Sequence, residues 1–505
     1  MSIPEPEPGI APQPARRSHL LPIISVLALC AGLLAAWWYA RRGLTLSHYD
    51  AKAHLVVARR IFDSLTPGWR QIGAVWLPLP HLLNALPVQV DALYRTGASG
   101  VAISIASFVV ATTSLAWLVL QATGSSAAAL AAAVVFASDP NVLYLQSTPM
   151  TEPLLLALVA LATALTHRWL ASDPRHRSIW PGLALIGACL TRYEAWPIAA
   201  ALVGLAGLAV LWRDRDPSRA VRVAARLAIY PAIAVVGFLC LSRSTVGEWF
   251  VTGGFFVPDN PARHRPLVAL GEVWWGLRQV VGTATIWVAL VGVIAATLTA
   301  LLRRKRAPVV VAFALAACAA LPWYAFVSGH PFRIRYMVVL TAAVAACAGL
   351  AVGLLPRRAR ALGAAAVMLV ALAETPPTAA TAPMVEEAQW DVPNSRGRQA
   401  VAGCLARDFD RPRDKILVSM GSLAHFMQEL SRAGFALDDF VHEGVGEIWP
   451  AVLESPRRHV QWILFEEQAE GGDMLAALRR EHPAFIDGFD RVCGGGGVTL
   501  YRRRE

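Results

Sequence analysis

Apolar residues along this chain gather into stretches of about 20 residues, the length that crosses the hydrocarbon core of a bilayer. Charged residues are concentrated between these stretches. The pattern predicts about eleven membrane-spanning helices, at residues 20–40, 99–121, 124–138, 153–171, 179–194, 196–212, 227–243, 282–302, 307–327, 334–355 and 361–373. Because 124–138 and 361–373 are short and the division of 179–212 is open, we take this count as accurate to one or two helices.

A different pattern begins after residue 384. Residues 385–505 contain no stretch long enough to span a membrane. Short apolar runs predict three strands, two segments predict helices and four consecutive glycines predict a turn: strands at 415–420, 460–465 and 498–501, helices at 421–434 and 471–482, and the turn at 494–497. Alternating strands and helices predict a small α/β domain. The glycines follow no strand-to-helix turn, so they are not a dinucleotide-binding motif.

The N-terminal segment is predicted to stay attached to the chain. The first apolar stretch is longer than the core of a signal peptide and is not followed by a small-residue cleavage site. Residues 1–19 are rich in proline and predict a disordered tail. The predicted organisation is therefore a tail at 1–19, a membrane domain at 20–384 with a long outer loop at 41–98, and an α/β domain at 385–505.

The composition supports a multi-pass membrane protein. The 505 residues are 56% hydrophobic and 16% charged, and the mean hydropathy is +0.47. Basic residues cluster in alternate loops, near residues 167–177, 213–226, 303–306 and 357–360, on the side of Arg16 and Arg17. The positive-inside rule then places the N-terminus in the cytoplasm and residues 385–505 outside it. The net charge of +11 is thus a topology signal and does not point to nucleic acid.

With this topology, unusual polar residues collect at the outer face. Charge at the boundary of a membrane span is costly and is usually functional. Each residue also has a structural interpretation: Asp139-Pro140-Asn141 is equally typical of a turn, and Arg333 and Arg335 are also suitable interfacial anchors. The residues predicted at the outer face include Asp50, Lys52, His54, Asp139, Glu152, Arg192, Glu194, His330, Arg333 and Arg335.

The positions of the cysteines and the absence of certain motifs limit the possible functions. Five of the seven cysteines lie in predicted spans, whereas Cys404 and Cys493 fall in the outer domain, where an oxidising compartment would allow them to pair. The sequence contains no CxxC or HExxH motif, which argues against a zinc site. It contains no P-loop, so it has no sign of an ATP-driven pump.

The arrangement resembles the GT-C superfamily of integral membrane glycosyltransferases, near the protein mannosyltransferases and lipid A aminoarabinose transferases. The resemblance rests on the first span, the outer loop opening with Tyr49-Asp50, the second outer turn with Asp139 and Glu152, the many later spans and the C-terminal outer domain. Residues 71–81 and 191–196 also resemble segments of that group. Where the family often has Asp-Glu, this chain has Asp50-Ala51, so a divalent metal held by Asp50, Asp139 and Glu152 remains one alternative and no cofactor the other.

The resemblance implies transfer of a sugar from a polyprenyl phosphate to an extracytoplasmic protein, lipid or glycan acceptor in the cell membrane. Asp50 is then the expected base, with Glu152 as the next candidate, and a single carboxylate with direct displacement would invert the anomeric centre. Guanidinium and ammonium groups suit the donor phosphate, and the remaining polar side chains suit the substrates. The expected phosphate ligands are Lys52, Arg192, Arg333 and Arg335, and the expected substrate-binding residues are His54, Asp139, Glu194 and His330.

Two other classes compete with a glycosyltransferase. A secondary transporter is also polytopic, but it commonly shows two similar halves and charges near the middle of the membrane. Here we find no internal repeat, and the charges lie at one face. A non-catalytic protein that binds a lipid-linked sugar is the third alternative, and the missing second acid of the Asp-Glu pair favours it.

The charge pattern predicts that residue 505 lies outside the cytoplasm. A C-terminal reporter that is active only in the cytoplasm should therefore be silent, while the same reporter fused within residues 303–306 should be active. The activity of both fusions in intact cells is the measurement. An active C-terminal fusion would overturn the orientation.

Overall fold

The computed structural model describes residues 19–172, 178–251, 260–411, 413–469 and 472–505. The predicted tail, apart from residue 19, lies outside the described residues. After a long apolar helix, the loop predicted to lie outside, residues 41–98, carries three short helices and two 3-10 turns. These elements are α1 (Leu20–Arg41), α2 (Tyr49–Arg59), a 3-10 turn (Trp69–Ile72), α3 (Leu79–Asn84), a second 3-10 turn (Pro87–Gln89) and α4 (Asp91–Thr96).

A bundle of helices follows the outer loop. It consists of α5 (Ala98–Thr123), α6 (Ser126–Ala137), α7 (Pro140–Leu145), α8 (Glu152–Ala171), α9 (Trp180–Cys189), α10 (Ala195–Asp214), α11 (Pro217–Val246), α12 (Pro266–Val281), α13 (Thr283–Leu302), a 3-10 segment (Arg304–Ala319) continuing into α14 (Ala320–Val327), α15 (Arg335–Val338), α16 (Thr341–Gly353), a 3-10 turn (Arg357–Ala359) and α17 (Arg360–Glu374).

Each of the eleven predicted spans is helical in the structure. Among the described residues, eight helical stretches are long and apolar enough to cross a membrane, counting Arg304–Val327 and Arg335–Gly353 as one stretch each. The helices α6, α9 and α17 are shorter, with 12, 10 and 15 residues. A polytopic helical fold is thus confirmed, whereas the number of eleven crossings stays a prediction.

The sequence pattern missed α12. This helix is mostly apolar, and Leu267, Leu270 and Trp275 are exposed on one side of it. Its other side packs against α14 and α15. Because Glu272 and Arg278 interrupt the apolar run, hydropathy alone does not mark it.

The core of the bundle is built from small residues. In the stretch Arg335–Gly353, 89% of the apolar window is buried, and α16 consists mainly of alanine, glycine and valine. A side chain at Gly292 of α13 would lie 1.9 Å from the carbonyl oxygen of Cys347, and one at Gly349 would lie 2.8 Å from the Cβ of Ala132. Small residues therefore allow the close helix contacts that pack a membrane bundle.

The C-terminal part is an α/β domain with a mixed sheet. Its elements are α18 (Pro383–Glu387), α19 (Val392–Asp408), β1 (Ile416–Leu417), α20 (Met420–Leu430), β2 (Phe440–Val441), α21 (Ile448–Glu454), α22 (Pro456–His459), β3 (Trp462–Glu466), α23 (Met474–Glu481), β4 (Phe489–Gly495) and β5 (Val498–Arg503), with 3-10 turns at Ser431–Ala433, Leu437–Asp439 and Pro483–Ile486. The strand order is β2-β1-β3-β5-β4. The strands β2, β1 and β3 are parallel, and β5 runs antiparallel to both β3 and β4.

The predicted strands correspond to β1, β3 and β5, and the predicted helices to α20 and α23. The strand β2 was missed because it has only two residues, and β4 because most of its side chains are exposed. The predicted glycine turn joins β4 to β5, and Gly496 and Gly497 have φ values of 58° and 81°. Such values favour glycine and suit a tight hairpin.

The two cysteines of this domain are neighbours. Cys404 on α19 and Cys493 on β4 are free thiols, and they lie close enough to interact with each other. The folding of the domain therefore brings together the two residues that the sequence suggested as partners, without a covalent bond between them in this structure.

Candidate active site

The site is organised around the start of α2. His48 lies just before this helix, and its Nδ1 accepts a hydrogen bond of 3.1 Å from the backbone N–H of Asp50. This bond satisfies one of the free N–H groups at the helix start, where a carboxylate such as Asp50 is also favourable. Since Nδ1 of His48 accepts, its Nε2 carries the hydrogen in the neutral ring.

Asp50 forms a buried ion pair with Arg335. Arg335 Nη1 donates to Asp50 Oδ2, and the two residues are 6% and 9% exposed. No described residue donates a hydrogen bond to the second carboxylate oxygen, Oδ1. The structure thus brings together the predicted base and a predicted phosphate ligand, which are 285 residues apart in the sequence.

Glu387 of α18 completes this group, and no motif in the sequence pointed to this residue. Its Oε2 accepts a 2.7 Å hydrogen bond from the backbone N–H of Ile334, and its Oε1 lies 3.8 Å from His48 Nε2. Burial alone would raise the pKa of Glu387, but His48, Arg335 and the Ile334 N–H hold it below its usual range. At 3.8 Å, His48 Nε2 and Glu387 Oε1 face each other without a hydrogen bond, and neither has another partner among the described residues. A hydroxyl group could bridge them.

A second charged cluster is centred on Arg192, in the turn between α9 and α10. Its guanidinium lies 3.0 Å from Glu152 Oε1 and 2.6 Å from Glu194 Oε1, and it donates a 2.9 Å hydrogen bond to Thr151 Oγ1. Glu152, the first residue of α8, is fully buried. Two carboxylates therefore compensate the charge of Arg192, and the cluster joins the starts of α8 and α10.

The two clusters are close to each other. Electrostatic interactions link Glu387 with Glu152, and Tyr336 with Arg192. His54 interacts in the same way with both Arg192 and His48. Six of the predicted residues thus share one region, namely Asp50, His54, Glu152, Arg192, Glu194 and Arg335.

Lys52 lies elsewhere on α2. It forms an ion pair with Glu429 of α20, which also accepts hydrogen bonds from Ser395 at 3.1 Å and from Arg398 at 3.4 Å. Lys52 is two residues from Asp50, so their side chains leave the helix in different directions. Its charge is used to attach α2 to the α/β domain.

Three further predicted residues have local partners. Asp139 Oδ1 accepts hydrogen bonds from the backbone N–H groups of Asn141 at 2.8 Å and Val142 at 3.2 Å, so it caps α7 as the turn interpretation implies. Burial raises the pKa of Asp139 to about 7. His330 Nε2 lies 3.4 Å from the hydroxyl of Tyr336, the residue next to Arg335. The Arg333 guanidinium lies 5.9 Å from the ring of Trp390.

The structure does not gather the three carboxylates of the metal alternative. Asp50 is paired with Arg335, Glu152 with Arg192, and Asp139 caps its own helix. In the described ranges, no three acidic, histidine or cysteine side chains converge as metal ligands do.

Two solved structures share this fold over nearly their full length. One is ArnT from Cupriavidus metallidurans bound to undecaprenyl phosphate, with a TM-score of 0.58 and 12% identity, covering 96% of this chain and 98% of that chain. The other is the same protein in the apo state, with a TM-score of 0.59 and 12% identity, covering 95% and 97%. No protein-family model and no curated protein matches the sequence.

ArnT is an aminoarabinose transferase of the GT-C class. The chain therefore shares the fold of ArnT, as the sequence resemblance implied. At this level of identity, the likeness establishes the architecture, and the chemistry has to be argued from the side chains of this chain.

Five buried histidines outside the membrane spans predict a pH-dependent stability. Burial is the main cause that lowers each pKa, to about 4 in His48 and His425, to about 3 in His81 and His442, and well below the usual value in His54. Below about pH 6.5 the unfolded chain binds protons that the folded chain does not, so stability falls as the pH falls towards 4. The slope is roughly 1 kcal/mol per histidine for each pH unit.

The midpoint of thermal unfolding in detergent should therefore be lower at pH 5 than at pH 7.5. Replacing His425 by phenylalanine, which does not titrate, should make this dependence shallower. Equal midpoints for the wild-type protein at both pH values would contradict the prediction.

Proposed function

We propose that this protein is a membrane glycosyltransferase that moves a sugar from a polyprenyl phosphate to an acceptor at the outer face of the membrane. The observation that carries the proposal is the Asp50–Arg335 pair, buried where the outer helix α2 meets the bundle, in a fold shared with a transferase that was crystallised with undecaprenyl phosphate. A carboxylate beside a cation provides both groups that the reaction needs, a proton acceptor and a counterion for the phosphate.

Asp50 is the base in this proposal. Arg335 occupies one carboxylate oxygen and favours the ionised form, while Oδ1 is left to accept the proton of the attacking hydroxyl. Glu152 is less suitable, because it is fully buried and paired with Arg192. With one carboxylate and direct attack on the anomeric carbon, transfer inverts the configuration.

Arg335 has a second role at the leaving group. When Asp50 takes up the proton of the acceptor, its negative charge disappears and its attraction for Arg335 weakens. At the same step, the bond between the anomeric carbon and the phosphate oxygen breaks, and the released phosphate gains charge that the guanidinium can stabilise. Arg333, two residues earlier in the chain, is the second cation proposed for the phosphate.

Substitution of Asp50 by asparagine should abolish most of the activity. The change keeps the size of the side chain and removes the basic oxygen, so transfer should slow by about 10²–10⁴-fold. The measurement is consumption of a lipid-linked sugar by membranes that contain equal amounts of inserted protein. Asp91→Asn makes the same change at an exposed position of the outer loop and should leave the rate unchanged. A wild-type rate for Asp50→Asn would make Glu152 the next candidate.

Substitution of Arg335 by alanine should weaken binding of the donor lipid. Removing this guanidinium also leaves Asp50 without its counterion, so kcat should fall together with the affinity for undecaprenyl phosphate. Arg335→Lys should restore binding only in part, because an ammonium group cannot make the two parallel hydrogen bonds of a guanidinium. Binding of undecaprenyl phosphate by purified protein in nanodiscs is the measurement. Unchanged affinity in Arg335→Ala would remove Arg335 from the phosphate site.

A further inference from the structure

His54 lies one helical turn after Asp50 and on the same face of α2. The residue is 6% exposed, and the centre of its ring is 4.2 Å from that of Trp76. Both Arg192 and His48 are close enough to interact with it electrostatically. The imidazole of His54 is therefore held beside the two charged clusters of the proposed active site.

A chain of hydrogen bonds fixes which nitrogen of His54 carries a hydrogen. His81 Nδ1 lies 3.1 Å from the carbonyl oxygen of Leu77, and His81 Nε2 lies 3.1 Å from His54 Nδ1. A carbonyl oxygen can only accept, so His81 Nδ1 must donate to it. A neutral imidazole has one N–H, so His81 Nε2 accepts and His54 Nδ1 donates. His54 Nε2 is then left with a lone pair.

The only other arrangement needs a charged ring. If His81 donated from both nitrogens, it would be an imidazolium, and no carboxylate among the described residues is bonded to either ring. Burial first, and Arg60 second, lower the pKa of His81 to about 3, while burial, His81, Arg192 and His48 lower the pKa of His54. Both rings are therefore neutral near pH 7. His54 donates to His81, and His81 donates to the carbonyl oxygen of Leu77.

We propose that His54 Nε2 accepts a hydrogen bond from a hydroxyl group of a sugar bound beside Asp50, and that His54 is a specificity residue for that sugar. The inference rests on the proposed function and assigns His54 to the sugar instead of the phosphate. An ionised phosphate offers only oxygen lone pairs, which cannot donate to Nε2, whereas a hydroxyl can. Nε2 has no hydrogen-bond partner among the described residues, so it is available to a ligand. His81 is a positioning residue, because it acts by fixing the tautomer of His54.

The tautomer itself is the first test. ¹⁵N NMR of the full-length protein in lipid bilayers, with labelled histidine and a His54→Phe sample for assignment, distinguishes a protonated Nδ1 from a protonated Nε2. We expect His54 to have a protonated Nδ1 and a bare Nε2 at pH 7. In a His81→Phe variant the acceptor for Nδ1 is lost, so both tautomers should appear. A single Nε2–H tautomer in the wild-type protein would overturn the proposal.

Ligand binding is the second test, with His54→Phe, His54→Gln and, as a control, His167→Phe in nanodiscs. His167 is also buried, but it lies near the far end of α8 from Glu152. The probes are bare undecaprenyl phosphate and undecaprenyl phosphate carrying mannose, glucose or aminoarabinose. Loss of one hydrogen bond to a buried group should weaken the preferred glycosylated lipid about tenfold in His54→Phe. Affinity for the bare lipid should not change, and His54→Gln should recover part of the loss.

The outcomes separate the sources of the hydroxyl. A weakened glycosylated lipid assigns the hydroxyl to the donor sugar, while unchanged lipid binding with a raised KM for the acceptor assigns it to the acceptor sugar. If His54→Phe weakens the bare lipid as much as the glycosylated one, His54 binds the phosphate and the proposal is wrong. If the wild-type protein binds no undecaprenyl phosphate at all, the proposed function fails, while the NMR result still decides the tautomer.

Discussion

The buried ion pair between Asp50 and Arg335 joins α2, a helix of the loop that follows the first apolar helix, to the bundle. Two charges removed from water are costly unless each compensates the other, so removing either partner leaves a strongly unfavourable charge. Arg335 begins the most deeply buried stretch of the bundle, while Asp50 begins a helix of a loop. The pair exists only when α2 is docked, and docking also brings His48 to Glu387 and His54 to the Arg192 cluster. One interaction thus assembles the groups that the proposed reaction uses.

The helix α2 contacts two different parts of the chain, the bundle and the α/β domain. Asp50 is paired with Arg335 of the bundle and His54 lies near Arg192, whereas Lys52 is paired with Glu429 of the α/β domain. Glu387 belongs to α18, the short helix that connects the last helix of the bundle to that domain. The α/β domain therefore holds α2 from outside and also supplies a buried carboxylate through its connecting segment, which gives an appended domain a physical role in positioning the proposed base.

The cations that are equivalent candidates in the sequence differ in the carboxylates that compensate their charge. Lys52 and Arg192 already have carboxylate partners in this state, and their positions connect structural elements. Arg335 also has a carboxylate partner, but that partner is the residue whose charge changes in the proposed reaction. Once its carboxylate partner is protonated, a cation can interact with a phosphate. The difference between Arg335 and the other two cations therefore lies in the carboxylate partner and not in the type of cation.

The sequence by itself determined the apolar helices, three of the five strands and the place of Asp50 just after the first of these helices, because apolar length, strand periodicity and distance along the chain are local properties. It missed α12, β2 and β4, in which the apolar pattern is interrupted, short or largely exposed. Only the tertiary structure decided the partners: Glu387 at His48, Glu152 and Glu194 at Arg192, Glu429 at Lys52, and His81 at His54. Most of these pairs join residues far apart in the chain, so their charge balance and tautomers depend on packing that no local pattern specifies.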